Sequence, residues 1–241
     1  PIIPGAVFHM ALCGPRAAVY NRFFYRPRAG FFLAWFMVRT IDIYSDVVCP
    51  WCYLGKSNLQ TALRQIPDAT APQVRLLPFE LNPGTPPEGI HRREYLEARY
   101  GSAIAAAERR LVQMGNEAGI EFNFNAAEWI PNTFAAHRLL WHAGNLGKQD
   151  ELADALFKEY FTRGQDIGKP AVLAEIAGSI GLDPAPVDLL LKSETGGAEV
   201  RALQAQAAEL GISGVPFFVL DGQFGVSGAQ TVDVFVEILK K

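Results

Sequence analysis

The chain has 241 residues, 49% of them hydrophobic and 20% charged, with a formal net charge of -3. That composition excludes intrinsic disorder, and the length suffices for one domain with an insertion or for two small domains. A slightly acidic balance supplies no basic field for nucleic acid or for an anionic membrane, so neither partner is expected.

Residues 1–36 begin with Pro1, include Met10 and Cys13, and mix arginines with aromatics up to Arg26-Pro27-Arg28, just ahead of an apolar stretch from Ala29 to Val38. The stretch imitates a signal peptide, but no small-residue cleavage site separates it from the first strand, and it is too short to span a bilayer. We read this segment as upstream sequence or a disordered extension, with translation properly starting at Met37. A genuine signal segment would instead place the protein in a periplasm.

Thr40 to Val48 reads as a buried or half-buried strand, and Pro50 to Ile66 as a helix whose Leu59, Leu63 and Ile66 recur at helical spacing before Pro67 stops it. Val74 to Leu81 is the next strand, reached by a right-handed βαβ crossover. Pro83, Gly84, Pro86, Pro87 and Gly89 form a punctuated linker. Apolar spacing is then helical almost to Leu210, over 92–100, 103–118, 133–143, 149–161, 171–180, 184–191 and 198–210, with Gly211 as the last C-terminal cap. Phe217–Leu220 and Gln223–Val226 flank an Asp221-Gly222 turn as a hairpin, and a helix over 231–240 ends the chain.

The chemistry concentrates at Cys49-Pro50-Trp51-Cys52. Proline suits the first helical position, so Cys49 falls at a helix N-terminus, where unpaired N–H groups and the helix dipole favour thiolate, the attacking species in disulfide exchange. Cys52 is close to one turn later and can close a disulfide with Cys49. We therefore expect an exposed, reactive Cys49 that attacks and a Cys52 that resolves. Zinc wants four ligands, and neither Cys13 nor His9, His91, His137 or His142 is spaced to complete a set, so no metal is expected. A C-x-x-C near a βαβ pattern reads as thioredoxin-like redox.

Gly214-Val215-Pro216 is the candidate second marker. Most X-Pro bonds are trans. Yet a CPWC helix start followed much later by Val-Pro before a terminal hairpin and helix is the order of a thioredoxin-like chain, so we expect a cis-proline here, with the Val215 backbone offering a docking edge to substrate. Three cysteines, two in one motif, argue against a disulfide-stapled scaffold and suit a reducing cytoplasm.

Ser45-Asp46-Val47-Val48-Cys49-Pro50-Trp51-Cys52-Tyr53-Leu54-Gly55-Lys56 resembles the DsbA-like thiol-disulfide oxidoreductases, in their FrnE-like branch. The segments 78–83, 132–139, 164–168 and 214–219 match too, so the likeness runs from about Met37 to the C-terminus. It implies an α/β thioredoxin-like fold with an inserted all-helical domain: 37–88 and 211–241 form the thioredoxin-like part and 89–210 the insertion. It also implies a disulfide oxidoreductase acting on a substrate protein or a small thiol, without metal or nucleotide. Related hydroxychromene-carboxylate isomerases and kappa-class glutathione transferases carry serine at the position of Cys49 and bind glutathione. A glutathione-dependent isomerase or transferase is therefore the alternative, and glutathione stays open as a co-substrate.

Other residues carry smaller expectations. Trp51 cannot hold the positive charge a histidine there could offer, so the couple should sit in the reducing half of the range from about -270 mV for thioredoxin to about -120 mV for DsbA. Glu80, at the end of the second strand, is a candidate proton relay for Cys52. Asp46 reads as solvated or capping, Asn132 and Thr133 as a helix cap, and Asp166 as a loop-ordering group. His137 and Trp141 share a helical face and should pack on the thioredoxin-like half. Ser227, Gly228 and Gln230 should begin the last helix, where a peptide carboxylate such as that of glutathione could bind. Oligomeric state is left open, a homodimer included.

Overall fold

The computed structural model describes residues 21–22, 38–67 and 70–240. β2 (Thr40–Ser45) is an interior strand of a five-stranded sheet, parallel to β3 (Gln73–Pro78) at its edge, and the crossover between them is α1 (Pro50–Leu63). β6 (Phe217–Leu220) runs antiparallel on the other side of β2, and β7 (Phe224–Ser227) returns beside it. The backbone of β1 (Asn21–Arg22) pairs antiparallel with β7, completing the order β1-β7-β6-β2-β3. Two residues of the presumed extension thus belong to a sheet edge; the rest of that reading, Cys13 included, lies outside the described residues.

The hairpin between β6 and β7 closes on Asp221 and Gly222, both left-handed, at φ 50 and 65. Asp221 tolerates that conformation because its Oδ1 accepts the backbone N–H groups of Arg39 and Thr40, each at 2.8 Å. Period-two alternation then sorts the sheet's faces. Ile41 and Ile43 meet Leu59 of α1 and Phe235 of α9 (Val232–Leu239), while Tyr44 and Val219 meet Ala207 of α8 (Gly197–Glu209). Burying a side chain such as Leu59 contributes about 1.5–3 kcal/mol.

The inserted part holds α2 (Arg92–Tyr100), α3 (Ala103–Glu117), α4 (Phe134–Gly144), α5 (Gln149–Phe161), α6 (Pro170–Ser179) and α7 (Pro184–Lys192). It also holds a two-strand ribbon, β4 (Ile90–His91) with β5 (Trp129–Ile130), absent from the sequence reading because two residues cannot show a period. Two polar devices fix the insert against the sheet. Gln149 imitates a neighbouring strand, its Oε1 accepting from Leu76 N at 2.9 Å and its Nε2 donating to Leu76 O at 3.0 Å. Lys56, buried on α1, reaches Asp150 and Asp154 of α5 at 2.7 and 2.6 Å. The start of α1 is thereby held between both halves of the chain.

Candidate active site

β2 ends at Ser45 rather than running to Val48, because residues 46–48 turn sharply: Cys49 N donates to Asp46 O at 3.0 Å. The turn places Cys49 at the N-cap of α1 with extended dihedrals, φ -94 and ψ 113, and Pro50 opens the helix. The cap position has no side-chain acceptor and the first turn no acid, so the N–H groups there face the sulfur's side of the helix without a competing anion. Cys49 Sγ donates to Val215 O at 3.6 Å, and the Val215–Pro216 peptide bond is cis. Gly228 N holds the Pro216 carbonyl at 2.8 Å. Gly55 lets this loop approach α1: a Cβ there would stand 3.2 Å from Pro216 Cγ and 3.3 Å from Phe218 Cζ.

Both cysteines are free thiols, and both are buried, Cys49 at 3% and Cys52 at 1% relative exposure. The expectation of an exposed Cys49 is corrected: the Val215 loop and the apolar residues around Trp51 cover it, and it is reached only along a groove. Burial holds the Cys52 thiol well above its usual ionisation range, a hydrogen bond with Cys49 adds to this, and the Ser45 side chain and Asp46 backbone oppose it.

The groove, about 140 Å³, lies between the start of α1 and the insert, lined by Cys49, Trp51, Asn82, Tyr95, Arg99 and Tyr160 among others. Two arginines reach it with different commitments. Arg92 is buried, ion-paired with Glu108 at 2.7 Å and stacked 4.8 Å above Phe124. Arg99 is exposed and touches only aromatic neighbours, the Tyr95 hydroxyl at 3.4 Å and the Tyr100 ring at 5.6 Å, with no carboxylate partner among the described residues. Neither Tyr95 nor Arg99 was singled out by the sequence; they belong to the insert, and only folding brings that helix to the motif.

Asp46 departs most from its sequence reading. It is 1% exposed, not solvated, because α4 packs over the turn: Oδ2 accepts from Leu81 N at 2.8 Å and Oδ1 lies 3.4 Å from His137 Nε2. Neither Oδ1 nor Nε2 makes a hydrogen bond within the protein, and a buried polar atom left so costs about 1–3 kcal/mol. His137 packs on the thioredoxin-like half, whereas Trp141 abuts Gly196 at the start of α8, where a Cβ would come within 2.8 Å of the indole.

Glu80 lies beyond β3 and its Oε2 accepts from Gln204 Nε2 at 2.9 Å; burial holds its carboxyl above the usual range, and the charges it senses include His137 and Asp46. Asn132 alone does the capping assigned to the Asn132–Thr133 pair, accepting from Phe134 N at 3.0 Å. Asp166 orders its loop through Gly168 N at 3.1 Å. Ser227, Gly228 and Gln230 do not begin the last helix: Ser227 ends β7, α9 starts at Val232, and the cap is the Thr231 hydroxyl. The Gln230 amide is spent locally on the carbonyls of Ser227 and Gly228, at 2.8 and 3.4 Å.

A C-x-x-C at the start of the helix after a central strand, a Val-Pro loop against its first sulfur, and a helical insert roofing the groove define a thioredoxin-like domain of the DsbA type. The chain belongs to the DSBA-like thioredoxin domain family, whose profile matches residues 40–240. It is 35% identical to a probable DsbA oxidoreductase from Streptomyces coelicolor, covering 83% of this chain and 88% of that one with a TM-score of 0.77. The uncharacterized protein YwbO of Bacillus subtilis (strain 168) is 28% identical over 200 residues, 81% of this chain and 92% of its own length. The cytosolic disulfide reductase DsbM from Pseudomonas aeruginosa, solved with GSH, shares the fold at 19% identity, TM-score 0.61, 83% of this chain and 97% of that one.

Proposed function

We propose that this member of the family exchanges disulfides through Cys49 and Cys52. Cys49 attacks one sulfur of a substrate disulfide as thiolate; the bond to the far sulfur breaks, and that sulfur leaves with the electron pair and takes a proton. Cys52, once deprotonated, attacks Cys49 Sγ and releases the second substrate sulfur. The substrate gains two electrons and the Cys49–Cys52 disulfide forms; run backwards, the same steps oxidise a dithiol. The Val215 backbone, beside the reacting sulfur, docks the extended chain around the substrate cysteine.

The observation that carries this reading is the Cys49 sulfur at a helix N-terminus, bonded to Val215 O at 3.6 Å, with Cys52 behind it and a groove in front. Trp51, an uncharged neighbour, favours the reducing direction, and a reducing cytoplasm is the compartment such a couple suits. Substrates are a disulfide in a protein or a small thiol such as glutathione; Glu80, its carboxyl held high by burial against the opposing charge of His137, takes part in relaying protons for Cys52.

Insulin reduction by the chain, set against glutathione-dependent turnover of a small electrophile, tests this directly. We expect insulin reduction, abolished in Cys49→Ser, and no electrophile turnover. Full insulin activity in Cys49→Ser defeats the reading, and electrophile turnover that survives Cys49→Ser turns it into a glutathione-dependent isomerase or transferase.

A further inference from the structure

Cys52 must lose a proton before it attacks, and its surroundings point away from the substrate groove. Cys49 lines that groove, while the groups that favour the Cys52 thiolate are the Ser45 side chain and the Asp46 backbone, in the turn behind the motif. Ser45 also lines a second cavity of about 430 Å³ at the β3 edge of the sheet, between β3 and helices α4 and α5. His137 lines the same cavity, and its Nε2 is one of the buried atoms without a hydrogen-bond partner, 3.4 Å from the equally unpartnered Asp46 Oδ1. Leu81 N fixes the other oxygen of Asp46, so the carboxylate is aimed at the imidazole.

Resting on the exchange reading above, we propose that Ser45, His137 and Asp46 form a rear proton exit for Cys52, opening into the cavity at the β3 edge of the sheet instead of into the substrate groove. During resolution the Cys52 S–H proton passes to the Ser45 hydroxyl, which releases its own proton through water in the cavity to His137 Nε2. The resulting imidazolium is held by Asp46. Cys52 Sγ bonds to Cys49 Sγ as the bond from Cys49 to the substrate sulfur breaks, and the departing sulfur takes its electron pair into the groove. In the reverse direction His137 returns the proton to Cys52. A hydroxyl both donates and accepts, and a cavity of this size has room for bridging water.

The charges facing the exit fit that task. Asp46 comes from the turn after β2, Glu80 from beyond β3, and Arg201 of α8 acts on Glu80. The other charged groups lining the cavity are already committed, Arg75 to Asp42 at 2.7 Å and Asp150 to Lys56 at 2.7 Å. His137 thus has one acidic partner in contact, Asp46, and one more nearby, Glu80.

The test separates the two chemical steps with the chromogenic disulfide of thionitrobenzoate. Its first thionitrobenzoate marks attack by Cys49, and the second marks resolution by Cys52. In His137→Gln the second step slows about tenfold to a hundredfold at neutral pH while the first does not, and the deficit closes as pH rises and hydroxide takes over as base. Ser45→Ala, which leaves the imidazole in place, gives the same selective loss and serves if His137→Gln does not fold. An unchanged second step in Ser45→Ala, both steps slowed equally, or a deficit that stays parallel across pH overturns the rear exit while exchange stands. Failure of Cys49 to react at all removes the exchange reading, and the exit with it.

Discussion

Two cavities lie near the turn after β2, one lined by Cys49 and the other by Ser45, and they differ in their walls. The groove in front is walled by Trp51, Asn82, Tyr95 and Arg99 and reaches Cys49; the cavity behind is bounded by β3 and α4 and reaches Ser45 and His137. One is walled largely by the insert, and the other lies along the edge strand β3. In the exchange proposed above, two sulfurs one helical turn apart take unequal roles, Cys49 meeting the substrate and Cys52 giving up its proton. Spacing makes a disulfide feasible, and the asymmetry of the surroundings sets its order of events.

The sharpest break of that comparison removes the rear sulfur. With Cys52→Ser, Cys49 still attacks but nothing displaces the substrate, so a mixed disulfide accumulates and multiple turnover falls on the order of a hundredfold. Intact-mass analysis after incubation with a disulfide should show one covalent adduct on Cys49. No adduct in Cys52→Ser, together with an adduct on Cys52 in Cys49→Ser, would show the two sides exchanged.

A second test reads the rear sulfur through stability. Burial raises the pH at which Cys52 ionises in the folded state, so folding disfavours its thiolate. The associated stability is fully present below the ordinary thiol value of 9.0 and is lost as pH rises from there through the raised folded value. Denaturant unfolding of the reduced protein should therefore weaken above about pH 9, by about 1.4 kcal/mol per pH unit within that window. Cys52→Ala should flatten this dependence. An equally steep decline in Cys52→Ala would mean that the rear sulfur is not the sealed one.

How much of this could be read from the residues alone depends on range. The CPWC helix start, the Asp221-Gly222 hairpin and the helices of the insert are local, written in proline at the first helical position, in turn residues and in apolar spacing, and their bounds fall within a few residues of those observed. Asp46 and His137 are ninety-one positions apart, and nothing near either announces the other; only the packing of α4 over the turn makes a buried pair of two ordinary polar residues. Gly55 reads as a mild defect in a helix until Pro216 is placed against it. The span of the last helix, 231–240, agrees with the observed Val232–Leu239, but Ser227, Gly228 and Gln230 do not form its start, because the Ser227 backbone is still in β7 and Thr231 supplies the capping hydroxyl.

The smallest expected effect concerns the front wall. Arg99 is a solvated cation on the wall of the groove that Cys49 also lines, so a substrate carboxylate meeting it gains only the modest energy of an exposed ion pair, about 0–1 kcal/mol, or up to roughly fivefold in KM. Arg99→Gln should raise KM for oxidised glutathione by about threefold and leave KM for cystamine, a cationic disulfide, unchanged or lower. Added salt should shrink the difference between wild type and variant, since exposed charges are screened within about 8–10 Å at physiological ionic strength. Equal shifts for both disulfides would mean that the front wall is read by shape through Trp51 and Tyr95, and that charge plays no part in choosing what enters.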